Sequence, residues 1–333
     1  MAIVVNIKQR KPDESKTLYF NSLIKEKMKV LLATEKPFAK TAVDGIRSII
    51  EDAGYEFALL EKYSDNSELL AAVKDADAVI IRSDKVTPEV VAAGDKLKIV
   101  VRAGAGYDNV DCAACTAAGV VVMNTPGQNS NAVAELAIGF MIFMARNQFT
   151  PGTGTEISGK RLGIHAYGNV GRIVGKYGKA MGMEVIAFDP FITAADIEKD
   201  GVKAVGSVKE LYAQSDYLSL HIPATAETKG SIGYDLLASM PKGATLVNTA
   251  RKEVIDEVGL AKAFEERTDL KYITDIAADS QAVLDGKFGK RVFATSKKMG
   301  AETAEANVNA GLAAARQIVD FLKNGNKKFQ VNK

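Results

Sequence analysis

The stretch from Lys160 to Pro190, KRLGIHAYGNVGRIVGKYGKAMGMEVIAFDP, restricts the possible folds of this chain more than any other. An apolar run, Leu162–Ile164, predicts a buried strand. A loop carrying Gly168 and Gly171 follows, then a helix, then a second strand, Val185–Phe188, ending on Asp189. Strand, glycine turn, helix, strand and terminal acid form the pattern of a dinucleotide-binding βαβ unit. Gly168, Asn169, Val170 and Gly171 would bring backbone N–H groups and a helix N-terminus to a pyrophosphate. Asp189 would accept hydrogen bonds from a ribose 2′-hydroxyl, which favours NAD over NADP. Ala166 departs from the pattern by standing where the first glycine is expected.

The rest of the chain alternates in the same way. From Met28, β-type runs (Val30–Leu32, Phe57–Leu60, Ala78–Ile81, Ile99–Val101, Val120–Met123) are separated by helical segments. A second series starts at Lys160 and holds six strand-like runs, the last being Val292–Ala294. The prediction is α/β, with two doubly wound parallel sheets. Between the series lie a long apolar helix, about Ser130–Arg146, and an arm rich in Gly, Thr and Pro, Phe149–Gly159. A final helix, roughly Glu302–Leu322, is long enough to return to the first sheet. The cofactor domain (126–306) is therefore expected to be inserted into a discontinuous substrate domain (28–125 and 307–333). Residues 1–27, charge-rich and followed by a second methionine at 28, read as an appendage, loosely attached or not always translated.

At 333 residues, 47% hydrophobic and 25% charged, the chain has the make-up of two globular domains. Its net charge of +2 gives no reason to expect nucleic acid or an anionic membrane as partner. No run is apolar and long enough to suggest a membrane span. Two cysteines, Cys112 and Cys115, read as small apolar residues on a helix and not as a redox pair; they fit a reducing, cytoplasmic setting. With two histidines in the chain, His165 and His221, no metal site is expected.

Five segments together resemble the D-isomer-specific 2-hydroxyacid dehydrogenase family. They are Arg102-Ala-Gly-Ala-Gly-Tyr-Asp-Asn-Val-Asp111, Asn124-Thr-Pro-Gly-Gln-Asn129, the loop at 163–171, Leu220-His-Ile-Pro223 with Glu227-Thr-Lys-Gly230, and Asn248-Thr-Ala-Arg251. Ile81-Arg-Ser-Asp-Lys85, Tyr272-Ile-Thr-Asp275 and Met299-Gly-Ala-Glu-Thr303 resemble the branch that uses lysine in place of the family's histidine. The resemblance implies a Rossmann NAD-binding domain inserted into a flavodoxin-like substrate domain. It implies hydride transfer between C2 of a 2-hydroxy acid and NAD, here D-3-phosphoglycerate going to 3-phosphohydroxypyruvate, the first step of serine biosynthesis. It implies a homodimer built through the long helix and the arm, and no appended regulatory domain after the last helix. Other implied readings are a glyoxylate or hydroxypyruvate reductase, or a silent NAD-sensing scaffold.

Residue by residue, the resemblance makes Arg251 the group that grips the substrate carboxylate and polarises the C2 oxygen. The family glutamate falls at Ser280, beside Asp279. The family histidine falls at Lys298, with Lys297 as its rival. A carboxylate beside a lysine would hold it charged, so its loss here should free Lys298 to act as base. Arg82 and Lys85 are implied to meet a phosphate, though both also read as ordinary surface charge. Arg102, Ala103, Gly104 and Asn124 are implied to contact the acid. His221, Pro223, Thr228, Thr249, Ala250 and Asp275 are implied to line the cofactor, Asp275 by holding the nicotinamide amide.

Overall fold

The structure, a computed structural model, describes residues 27–332. The appendage expected at 1–27 therefore lies, but for Lys27, outside the described residues. Two parallel sheets carry the chain. The first contains β1 (Lys29–Thr34), β2 (Glu56–Glu61), β3 (Ala78–Ile81), β4 (Ile99–Arg102) and β5 (Val121–Asn124), in the order β2-β1-β3-β4-β5. The second contains β6 (Arg161–His165), β7 (Glu184–Phe188), β8 (Lys203–Ala204), β9 (Tyr217–Leu220), β10 (Thr245–Asn248), β11 (Lys271–Thr274) and β12 (Val292–Ala294). Its order is β12-β11-β10-β9-β6-β7-β8, so it has seven strands where the sequence suggested six. The extra strand, β8, has two residues at an edge, too short to leave an apolar run.

Helices on both faces bury the central strands, which is why their sequences read as unbroken apolar runs. All four residues of β3 are buried. The Lys40–Asp52 helix turns Ala42, Val43, Ile46 and Ile50 inward, an i, i+4 stripe over the first sheet. Across it packs the Ala304–Asn324 helix, which follows the whole second sheet in sequence yet completes the core of the first. The contact is close because it is glycine-on-aliphatic. A β-carbon on Gly311 would stand 2.8 Å from Ile46 Cδ1, and one on Gly45 would stand 2.7 Å from Leu312 Cδ2. Thr303 caps this helix at the Ala306 N–H, and Gly325 ends it with φ +68°.

Register places the functional residues. His165 lies level with Phe188 and Leu220, and Asn248 lies level with Leu220 and Thr274. Residues 166, 189, 221, 249 and 275 therefore leave the second sheet along one carboxyl edge, where α/β sheets hold ligands. In the first sheet Arg102 lies level with Ile81 and with Asn124, so Arg82, Arg102 and Asn124 gather at the equivalent edge.

Candidate active site

At the edge of the second sheet, β6 passes into a turn where Ala166 adopts φ +77°. That conformation is natural for glycine and strained for alanine, which accounts for the usual glycine in this pattern. Gly168 then precedes the Asn169–Ala180 helix, whose N-terminus has no side-chain cap and no acidic residue in its first turn. Its free N–H groups suit an anion. Gly171 is required by packing, since a β-carbon there would fall 2.3 Å from Ala166 O. Asp189 accepts from the backbone N–H groups of Tyr167 and Phe191, each at 2.8 Å.

This turn borders a cleft of about 680 Å³, lined among others by Gly168, Asn169, Val170, Gly171, Asp189, His221, Pro223 and Thr228. Ala105 of the first half also borders it. Neither histidine is set up as an acid at neutral pH. Burial holds His165 down at about 4 against a weaker opposing pull from Asp189, and its Nδ1 stands 3.4 Å from the Tyr212 hydroxyl. Burial likewise holds His221 at about 3, with Nε2 3.0 Å from Ser219 Oγ.

Thr249, Ala250 and Asp275 belong to a second group, built around one carbonyl. Ala250 O accepts from Arg251 Nη1 at 2.9 Å and from Lys298 Nζ at 3.0 Å. Buried Asn248 holds the turn in place, accepting from Ala250 N–H and donating to Arg251 O, both at 3.0 Å. Asp275 is fully buried. Its Oδ2 accepts from Met299 N–H at 3.2 Å and Gly300 N–H at 2.7 Å, while Oδ1 has no hydrogen-bond partner. Thr249 Oγ1 is also buried and unpartnered. These unpartnered polar atoms, the open helix N-terminus and the acid at Asp189 are groups that a dinucleotide would satisfy.

One expectation needs correction. Lys298 was to be free of any neighbouring acid, yet Asp275 Oδ1 stands 3.6 Å from its amine. The amine is still held below the usual lysine range. Desolvation of the amine is the largest cause, although the side chain as a whole is 40% exposed; Asp275 pulls the other way and the Arg251 charge adds to the lowering. Asp279 and Ser280, at the position of the family glutamate, are occupied elsewhere. Asp279 pairs with Lys252 at 2.5 Å, and the backbone N–H groups of Asp279 and Ser280 donate to the Glu257 carboxylate. Lys297 contributes its carbonyl to Thr295 Oγ1 at 2.7 Å, whereas the side-chain bonds of the group go to Lys298.

From the first sheet, a glycine loop meets this group. Arg102 donates from Nε to Arg82 O at 2.9 Å and folds over Gly104, where any β-carbon would fall 1.4 Å from its Nη1. Ala103 is buried and bonds Ile81 O through its N–H at 2.8 Å. Asn124 Nδ2 donates to Ala105 O at 2.5 Å, fixing the same loop. Arg251 reaches across to it: a β-carbon on Gly106 would sit 2.6 Å from Arg251 Nη2, and Asp108 Oδ2 lies 3.8 Å away. Burial and then the charges of Arg82 and Arg251 depress Arg102, so three guanidinium groups lie within electrostatic reach. Lys85 is exposed and lines a neighbouring hollow with Thr87, Asp108 and Asp111. Arg82 Nη2 is 3.1 Å from Glu302 Oε1, a residue that the sequence reading passed over.

The model of the family described as "D-isomer specific 2-hydroxyacid dehydrogenase, NAD binding domain" matches residues 140–308. A D-3-phosphoglycerate dehydrogenase of Methanocaldococcus jannaschii is 37% identical over 276 residues, covering 77% of this chain and 52% of that protein. One of Rattus norvegicus is 34% identical over 295 residues, covering 83% of this chain and 54% of the relative. The chain thus spans about half the length of the curated relatives it matches. An NAD+-bound 3-phosphoglycerate dehydrogenase structure of Entamoeba histolytica is 51% identical with a TM-score of 0.84, covering 92% of this chain and 99% of that one. The chain belongs to the D-isomer specific 2-hydroxyacid dehydrogenase family, and its second sheet is the family's NAD-binding domain.

Proposed function

We propose that the protein is an NAD-dependent dehydrogenase that oxidises D-3-phosphoglycerate to 3-phosphohydroxypyruvate, a reading supported by its likeness to phosphoglycerate dehydrogenases. The observation that carries this reading is that Arg102 and Arg251 both reach the glycine loop at 104–106, with the Arg82 charge within electrostatic reach of Arg102. A carboxylate needs one planar guanidinium, so the additional cations suit a second anionic group on the same small acid.

In this reading Gly168 and the Asn169–Ala180 helix hold the pyrophosphate, Asp189 the ribose, and Asp275 the amide. Bound NAD+ supplies the hydride acceptor. Arg251 commits Nη1 to Ala250 O and keeps its remaining donors for the substrate carboxylate and C2 oxygen. Ala250 O and Asp275 aim the Lys298 amine, and in its neutral form, favoured by the Arg251 charge, it takes the C2 hydroxyl proton. The side of the molecule built from 28–125 and the last helix binds the acid together with Arg251 and Lys298, and the rest of 126–306 binds the cofactor. A homodimer through the Ser130–Ala145 helix and the arm at 149–159 and a cytoplasmic setting belong to the same proposal. No helix among the described residues is long and apolar enough to cross a membrane.

The test is NADH formation from D-3-phosphoglycerate and from D-glycerate. Turnover that collapses without the phosphate is expected. Equal use of both acids would move the assignment to a different 2-hydroxyacid oxidation.

A further inference from the structure

Arg82, the cation proposed to take the substrate's phosphate, is already engaged by an anion of the chain itself. Its Nη2 lies 3.1 Å from Glu302 Oε1 and 3.3 Å from Oε2, across 220 residues of sequence. The two partners are held very differently. The Arg82 side chain is 16% exposed, its guanidinium lies over the Phe38 ring at 5.9 Å, and its carbonyl is fixed by Arg102. The Glu302 side chain is 54% exposed and stands on the loop between β12 and the Ala304–Asn324 helix. Arg82 is the fixed member of the pair and Glu302 the displaceable one. That loop also carries Lys298, and the Glu302 N–H closes a turn on Met299 O at 2.8 Å.

We infer that Glu302 sets the affinity of the phosphate subsite, as an internal carboxylate that competes with the substrate's phosphate for Arg82. The inference rests on the substrate reading above and deepens it. A phosphate oxygen and a carboxylate oxygen cannot share one Nη2 without placing like charges side by side. An incoming dianion must therefore displace Glu302. An exposed ion pair opposes displacement only weakly, by up to ~1 kcal/mol, which corresponds to about fivefold in affinity. An acid that also anchors its carboxylate at Arg251 recovers that cost. A lone inorganic anion does not. Glu302 thus costs any phosphate at Arg82 the same factor, and a lone anion has no second contact at Arg251 to set against it.

The experiment is calorimetric titration of inorganic phosphate into the NAD+-loaded enzyme, wild type against Glu302→Gln, with Glu302→Asp and Arg82→Ala alongside. Glu302→Gln should tighten phosphate by about fivefold. Its KM for D-3-phosphoglycerate should fall by a similar factor with kcat little changed, and its KM for D-glycerate should stay put. In the Arg82→Ala background the same change should do nothing further. Retained NAD+ binding, read by nucleotide titration, reports that each variant is folded. Phosphate affinity that is unchanged or weaker in Glu302→Gln overturns the inference, as does an equal effect in the Arg82→Ala background. If wild type does not oxidise D-3-phosphoglycerate, the substrate reading falls, and the phosphate titration, which needs no turnover, alone decides the role of Glu302.

Discussion

Lys298 Nζ stands 3.6 Å from Asp275 Oδ1, and that oxygen has no other polar partner. A base and a carboxylate are therefore adjacent in this site, although the acid comes from the end of β11 and not from the position where the family glutamate falls. Asp275 aims the amine and favours its charged form, while local desolvation and Arg251 oppose that charge.

The first prediction follows from this balance. Proton abstraction needs the neutral amine, so turnover should rise with pH through the Lys298 titration. Lys298→Ala should lower kcat by roughly 10²–10⁴. Asp275→Asn removes the charge that raises the lysine, so its rising limb should move to lower pH. A kcat profile for Asp275→Asn that superimposes on wild type would show that the carboxylate does not act on the amine.

Arg251 uses one donor on Ala250 O and faces Gly106 with another. Lysine cannot reproduce that fork. Arg251→Lys should lose roughly 30- to 1000-fold in kcat/KM, the equivalent of about 2–4 kcal/mol for a truncated charged contact. Steady-state kinetics checks it, and a loss under threefold would remove Arg251 from the substrate.

Asp189 both faces the cleft and ties down the turn through Tyr167 and Phe191 N–H groups. Asp189→Ala should raise KM for NAD+ about tenfold and narrow the preference over NADP+, because the repelling charge is gone. An unaltered ratio of kcat/KM for the two cofactors would place the ribose elsewhere.

Acid sensitivity should be carried in part by His165, which is 7% exposed and held at about 4. The unfolded imidazole takes up a proton near 6.5, so between those values the unfolded state binds more protons than the folded one. Stability is full above about pH 6.5 and should fall by on the order of 3 kcal/mol as pH drops toward 4. Denaturant midpoints across that window provide the check. His165→Asn should flatten the dependence, and a wild-type midpoint independent of pH would contradict the buried neutral state.

The parts legible in the sequence are those written locally. The glycine turn at 166–171, Asp189 and the Asn248–Arg251 turn each lie at the carboxyl end of a parallel strand, and parallel register brings such ends together. The sequence marks Ala166 as standing in a glycine's place, and the structure adds that it is left-handed, with φ +77°. The pairings that join distant segments were not legible. Glu302 meets Arg82 across 220 residues, and nothing in the Met299–Thr303 motif marks that carboxylate as bound for an arginine. Asp275 was assigned one use, as a cofactor contact. Its nearness to Lys298 depends on Met299 and Gly300 N–H groups folding back onto Oδ2. The two-residue β8 left no periodicity to read.

The Ala304–Asn324 helix has a consequence for biogenesis. It supplies Ala310, Ala314, Ala315 and Ile318 to the core beneath the first sheet, and Val331 extends onto β5 through Val122 O. A nascent chain that has delivered all five strands of that sheet still lacks its last wall. At ordinary ribosomal rates the greasy face of Ile46 and Ile50 waits roughly ten to forty seconds for its cover. Throughout that interval it offers a target for chaperones and for sticking to other unfinished copies.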